Sequence, residues 1–143
     1  MKGKIKAVCV SNTKGNKKKN IKTAVFKENF GIMQDAHAGS SRQVSLLAEE
    51  SIEKMKAKGL NLNYGDFGEN VVMRGIDLKS LTITTKINIG RDVILEITEI
   101  GKKCVSKCAI YYQAGDCIMP SEGIFAKVIK GGIVKINDKV EVI

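Results

Sequence analysis

Cys104-Val105-Ser106-Lys107-Cys108 and, nine residues further on, Cys117 put three thiols into one short stretch behind Lys102-Lys103. The thiolate is both the nucleophile and the soft-metal ligand, and neighbouring lysines favour it by lowering the thiol pKa. The stretch therefore points to sulfur chemistry or to soft-metal binding. Against both stands the use of cysteine as a small buried core residue. Cys104 and Cys108 are spaced i, i+4, so a helix over residues 103–112 turns them to one face. Cys104 then sits near the helix N-terminus, where the dipole stabilises a thiolate. It is the candidate nucleophile or sulfur-accepting thiol. Cys117, in a Gly115-Asp116-Cys117 turn, is placed to resolve a persulfide or to support Cys104. Cys9, inside an apolar strand, is expected to be buried and inert.

A metal site is the competing chemistry. Zinc asks for four tetrahedral ligands, usually in CxxC or Cys/His pairs. The chain has no CxxC and a single histidine, so such a site would need Cys104, Cys108, Cys117 and His37 together. A three-cysteine iron–sulfur site lacks a recognised spacing. A stable all-protein metal site is therefore not the expectation.

The single histidine lies in Asp35-Ala36-His37, framed by Gly31 and Gly39. In extended chain, residues two apart share a face. His37 can then donate to an anionic ligand while Asp35 fixes its tautomer; the alternative is a satisfied turn residue. Arg42 follows Ser40-Ser41, and its guanidinium forks onto phosphate or carboxylate. Its structural alternative is a pair with Asp35 or Glu69. Gly65-Asp66-Phe67-Gly68-Glu69-Asn70 is a glycine-punctuated turn. Its backbone N–H groups either form an anion nest or make a barrel corner whose Asn70 caps backbone groups.

Elements must hold these groups in place. The length, 143 residues, suits one domain with one core, expected to span residues 1–143. Hydrophobic residues make up 43%, ordinary for a globular fold. No apolar run approaches the ~18 residues a bilayer requires. The start, Met1-Lys2-Gly3-Lys4-Ile5, lacks a signal peptide's apolar block. A cytoplasmic protein with reduced cysteines and no membrane association is expected. The net charge of +9 favours anionic partners. With aromatics at 5% and no Trp, a stacking platform for nucleic acid is poorly supplied, so no specific nucleic-acid partner is expected. Lys14, Lys17, Lys18, Lys19 and Lys22 carry much of the excess charge. With Gly15, Asn16 and Asn20 among them they read as a solvated hairpin tip rather than a dedicated phosphate site.

Residues 5–10 and 21–26 alternate weakly and are expected to form the two strands of that hairpin. A short strand is expected at 43–46. Residues 48–58 form the clearest helix: Ile52 and Met55 share a face, Glu49 and Glu50 come early, Lys56 and Lys58 late, and Gly59 ends it. Residues 87–97 and 134–142 both read strand, tight turn, strand, and 125–129 is a strand stopped by Gly131-Gly132. The fold class is mainly β: a closed or nearly closed barrel with one or two short helices.

These pieces, in this order, resemble the MOSC domain, the module that ends molybdenum cofactor sulfurases and also occurs as short bacterial stand-alone proteins. The match runs through Gly31-Ile32, Asp35-Ala36-His37-Ala38-Gly39 and Arg42-Gln43-Val44-Ser45-Leu46-Leu47. It continues in Gly65-Asp66-Phe67-Gly68-Glu69-Asn70, Gly75-Ile76-Asp77-Leu78 and Ile89-Gly90-Arg91-Asp92-Val93. It ends with Thr98-Glu99-Ile100-Gly101-Lys102-Lys103-Cys104, Gly123-Ile124-Phe125-Ala126 and Gly131-Gly132. The Phe-Gly-Glu-Asn turn with a cysteine downstream is its most specific part.

The resemblance implies a MOSC-type β-barrel and a transient role with the molybdenum cofactor (molybdopterin), either binding it or carrying sulfur to its metal. It puts the functional thiol, which would also meet the metal, at Cys104. It puts cofactor-binding groups at His37, Arg42 and Asn70, with Asp35 beside them. Cys108 and Cys117 are possible accessory thiols beyond the family's core pattern. The pyridoxal-phosphate domain of the long sulfurases is absent from this chain, so the cofactor expected here does not include PLP. Sulfur would have to come from a separate PLP-dependent cysteine desulfurase or another donor. The partners receiving it would be a molybdoenzyme or molybdopterin-biosynthesis proteins.

Three readings are weighed. The first is a molybdenum-cofactor-binding sulfur carrier that accepts sulfur as a persulfide on Cys104, with possible sulfur-transferase activity. The second is a non-catalytic module that binds or delivers the cofactor or molybdate. The third is a reductase-type member, ranked last because this chain has no room for the added N-terminal domain of such relatives.

Overall fold

A computed structural model describes residues 1–101 and 123–143. The elements in order are β1 (Lys2–Val10), β2 (Lys19–Asn20), β3 (Thr23–Lys27), β4 (Gly31–Ile32), β5 (Val44–Ala48), α1 (Glu49–Lys56) and β6 (Val71–Arg74). They continue with a single 3₁₀ turn (Leu78–Ser80), β7 (Lys86–Ile89), β8 (Val93–Ile100), β9 (Ile124–Lys130), β10 (Gly132–Lys135) and β11 (Lys139–Val142). β11, β7, β8, β9, β5, β6 and β1 pair in that order, and β11 also pairs with β1, so seven strands close into a barrel. The mainly β, closed barrel expected from the sequence is the architecture observed. No helix among the described residues is long and apolar enough to cross a membrane.

The alternation of β8 shows why the barrel closes. Val93, Leu95 and Ile97 are fully buried inside it, while Ile94, Glu96 and Thr98 are partly exposed on the other face. Val44 and Leu46 of β5 join that interior with Ile5, Val71, Ile87, Ile124 and Val128. Leu47 faces the opposite way, into a second cluster with Cys9, Phe67, Val72 and Phe125 under α1. β5 is therefore buried on both faces, which is why its sequence, Val-Ser-Leu-Leu-Ala, is almost continuously apolar. β5 and β6 form the one parallel pair among the described strands, and α1 begins the crossover such a pair requires. Eight residues are too few for an independent helix. Ile52 and Met55, each 1% exposed, anchor it by roughly 1.5–3 kcal/mol apiece.

Two turns depart from expectation. β1 and β3 do not make a hairpin. The chain rejoins β1 only at Lys19–Asn20, and β3 pairs with β10 and β4 instead. Asn20 Oδ1 accepts the N–H of both Val8 and Lys22, and Lys22 takes a positive φ of 68°, which turns the chain off the barrel. Residues 134–142 make the tight turn but not a hairpin, because β10 goes to β3 and β11 to β1 and β7. That turn is held from outside: Ile5 N–H donates to the Asp138 carbonyl and Asn137 N–H to the Ile5 carbonyl. The 86–100 segment does form a hairpin, β7 on β8. The second expected helix, 103–112, lies outside the described residues.

Candidate functional site

Where β1 ends, Ser11 N–H donates to Asp35 Oδ1 at 3.1 Å and the Ser11 carbonyl accepts Ala36 N–H at 2.7 Å. This double contact ties the 33–40 turn to the barrel. The segment is a turn rather than extended chain, yet Asp35 and His37 still meet, because His37 N–H folds back onto Asp35 Oδ2 at 3.1 Å.

The third member of the cluster is Lys18. It lies in the run expected to be a solvated hairpin tip, and it corrects that reading: its side chain is 1% exposed. Lys14, Lys17 and Lys19 of the same run are exposed. Lys18 Nζ stands 2.7 Å from Asp35 Oδ1 and 3.0 Å from His37 Nδ1. Its backbone N–H donates to the Gly65 carbonyl at 2.8 Å, which fixes the residue that aims the ammonium inward. Nothing in the local sequence separates Lys18 from Lys17 or Lys19. The available signal was remote: an aspartate held under a turn needs a cation, and the nearest run of cations is this one.

Burial alone would raise the Asp35 pKa. The nearby His37 side chain, the Lys18 hydrogen bond and charge and the Ser11 N–H outweigh it, and the carboxyl is held far below the usual carboxylate range.

The 65–70 turn is not an open anion nest. Glu69 is fully buried, and its own carboxylate accepts Gly65 N–H at 3.0 Å and Phe67 N–H at 3.1 Å. Burial pushes its pKa up to about 7 even though those N–H groups favour the ionised form. Gly65 is there for space as well as conformation. Its φ is +93°, and a Cβ would lie 2.0 Å from the Lys18 carbonyl oxygen. Asn70, 1% exposed, serves the barrel corner: Oδ1 accepts Ser45 N–H at 3.0 Å, and Nδ2 donates to the Cys9 carbonyl at 2.9 Å. Of the two expectations for this turn, the structure has the corner capped by Asn70, and the residue joins β1 to β5 rather than the Lys18 cluster.

Arg42 pairs with neither Asp35 nor Glu69. Its Nε and Nη2 fork onto Glu99 at 2.9 and 2.8 Å, over the Phe125 ring at 5.0 Å. Its backbone N–H donates to Ser40 Oγ at 3.2 Å, and Ser40 Oγ donates to the His37 carbonyl at 2.6 Å. One run of polar contacts thus extends from Lys18 and Asp35, through His37, Ser40 and Arg42, to Glu99 near the end of β8. Arg42 and Glu99 are 33% and 38% exposed at their side chains, so solvent weakens the pair. Arg42→Ala is expected to lower stability by about 1 kcal/mol, with Arg42→Lys recovering only part because the fork is lost. Urea denaturation reads this, and full recovery by lysine would rule out a role for the fork.

Cys9 is fully buried, and burial pushes its thiol pKa up, as does the nearby Glu69 charge. It is the inert core thiol expected. Cys104, Cys108 and Cys117 lie outside the described residues. The two ends of the connection that carries them are described: Ile100 pairs with Ile124, and Gly101 N–H donates to the Gly123 carbonyl at 2.7 Å. Among the described residues no three His, Cys, Asp or Glu side chains cluster as a metal site.

A family model described as MOSC domain matches residues 33–141. Among solved structures, the chain is similar to the YuaD protein of Bacillus subtilis, at 21% identity over 99% of this chain and 96% of that one, with a TM-score of 0.83. It is also similar to YiiM of Geobacillus stearothermophilus, 14% identical over 99% of this chain and 75% of that one, TM-score 0.71. YiiM of Escherichia coli is 15% identical over 100% of this chain and 70% of that one, TM-score 0.68. At these identities the likeness is one of fold. No curated protein matches the chain.

Proposed function

The chain belongs to the MOSC domain family, and we propose that it binds the molybdenum cofactor transiently and carries sulfur to it on Cys104. The observation that supports this is the continuous polar run from Lys18 to Glu99, because Glu99 stands five residues ahead of Cys104 in the sequence. The polar cluster is thereby tied to β8, the strand whose sequence runs on toward Cys104.

The donor chemistry fits the cofactor's phosphate. The His37 ring is partly open to solvent, with a side chain 27% exposed, and Lys14, Lys17 and Lys19, exposed in the run that carries Lys18, add positive charge to that loop. Lys18 itself is neutralised by Asp35, so its part is to organise the cluster rather than to supply net charge. Arg42 contributes by holding β8 through Glu99. The cofactor is cargo in this scheme, and what it supplies is the metal that takes up the sulfur.

The loading step is thiol exchange. The Cys104 thiolate attacks the outer sulfur of a donor protein's cysteine persulfide. A new S–S bond forms on Cys104, the donor's S–S bond breaks, and the donor leaves as a thiolate. Lys102 and Lys103 favour the attacking thiolate. A second thiol, Cys117 or Cys108, releases the terminal sulfur as sulfide by attacking the inner sulfur of Cys104, which leaves a disulfide. The donor class is a PLP-dependent cysteine desulfurase, and the acceptor is a molybdoenzyme or a molybdopterin-biosynthesis protein.

Incubation with a desulfurase and cysteine, followed by intact mass, tests the scheme. Wild type is expected to gain one sulfur atom and Cys104→Ser none. Equal gain in both would move the carrier thiol off Cys104. No gain on wild type, with cofactor binding intact, would make the protein a delivery module without chemistry.

A further inference from the structure

We propose that Lys18 is a positioning residue that locks His37 as the Nε2–H tautomer, so that the site takes an oxyanion oxygen rather than a metal ion. An ammonium has three donors and no acceptor. The 3.0 Å contact between Lys18 Nζ and His37 Nδ1 is a hydrogen bond only when Nδ1 presents its lone pair. A neutral imidazole carries one ring proton, which must then be on Nε2. The other arrangement is the weaker one: a proton on Nδ1 would face the ammonium, and the Asp35 Oδ2 that attracts it stands 3.8 Å away, beyond hydrogen-bond length.

The ammonium cannot readily turn aside. It is anchored at 2.7 Å on Asp35 Oδ1, and the Asp35 carboxylate is fixed in turn by the N–H groups of Ser11 and His37. Asp35, expected from the sequence to set the tautomer directly, therefore does so through Lys18.

Nδ1 is turned to the buried pair, so the ring offers Nε2–H outward. A fixed donor accepts a ligand with oxygen lone pairs, such as a phosphate or a molybdate oxygen. It has no lone pair for a metal ion, since that of Nδ1 is already taken. The choice of ligand rests on the cofactor-binding reading above; the tautomer does not.

The chain has one histidine, so a long-range ¹H–¹⁵N NMR correlation of ¹⁵N-labelled protein shows one imidazole. At about pH 8.5, where an ordinary imidazole is neutral, Nδ1 is expected to be pyridine-like and Nε2 pyrrole-like. Lys18→Met is expected to relax this toward a mixture, as is the charge-balanced double variant Lys18→Met with Asp35→Asn should the single one not fold. Titration with inorganic phosphate or with molybdate should shift Nε2–H in wild type, and zinc should not.

A proton on Nδ1 in wild type, or an unaltered tautomer in the folded variant, overturns the role of Lys18. Tautomer as expected with no response to either anion, or with a response to zinc, overturns the ligand assignment. Response to phosphate alone identifies the cofactor's phosphate as the group recognised, and response to molybdate alone the metal oxyanion. Neither result depends on whether Cys104 loads sulfur.

Discussion

Lys18→Met is expected to destabilise the protein by about 3–5 kcal/mol at neutral pH, because it leaves a buried carboxylate without its cation. Side-chain exposures of 1% for Lys18 and 0% for Asp35 mean that water cannot take over as partner. The reasoning differs from that for Arg42, whose pair with Glu99 is equally short but a third exposed, and for which about 1 kcal/mol is expected. Burial of the pair, rather than its geometry, sets the difference. The double variant Lys18→Met with Asp35→Asn should recover part of the loss, since no bare charge remains. Recovery will be incomplete: Asp35 also accepts the N–H groups of Ser11 and His37, and a single amide oxygen replaces only one of its two acceptors. Urea or thermal denaturation of wild type, both single variants and the double gives the coupling energy directly. Additive losses would mean that Lys18 and Asp35 do not act as a pair.

That pair also marks where the sequence stops being informative. The β7–β8 hairpin and α1 are legible because their determinants are local: alternation around Gly90, and Ile52 and Met55 on one face before Gly59. Asp35 and His37 are legible as a unit because one residue separates them. Lys18 is not, since its partners lie 17 and 19 positions away and its neighbours are also lysines. Five cations in a glycine- and asparagine-spaced run have the composition of a solvated loop. One of them turns inward, its backbone N–H on the Gly65 carbonyl and its ammonium on Asp35 and His37. Arg42 fails to be legible for the same reason, with its partner 57 residues on. The 65–70 turn misleads in another way. Its N–H groups are arranged for an anion, and the anion they hold is Glu69 of the same turn.

Glu69 gives the second large effect, and it runs with pH. Its folded pKa is about 7, against an ordinary glutamate value of about 4.3 in the unfolded chain. Between those values the folded state holds a proton that the unfolded state has released, so stability falls as pH rises through the window and levels off above it. The shift corresponds to a loss of roughly 3–4 kcal/mol across the window. Asp35 runs the opposite way. Its depressed pKa contributes stability that is present above about pH 3.9, the ordinary aspartate value, and is lost as acid protonates it. For these two groups the opposing slopes balance at about pH 4, between their unfolded-state values, well below neutrality for a chain with a strong excess of lysine. Glu69→Gln should abolish the downward slope. The amide keeps one acceptor for the N–H groups of Gly65 and Phe67 but turns a donor toward the other, so the variant should be less stable than wild type at pH 5. By pH 8, where wild type carries a buried charge and the variant does not, the gap should close or reverse. Midpoints of denaturation at pH 5, 6, 7 and 8 decide it. A wild-type profile flat between pH 5 and 7, or the same slope in the glutamine variant, would assign the pH response to other groups and leave Glu69 ionised throughout.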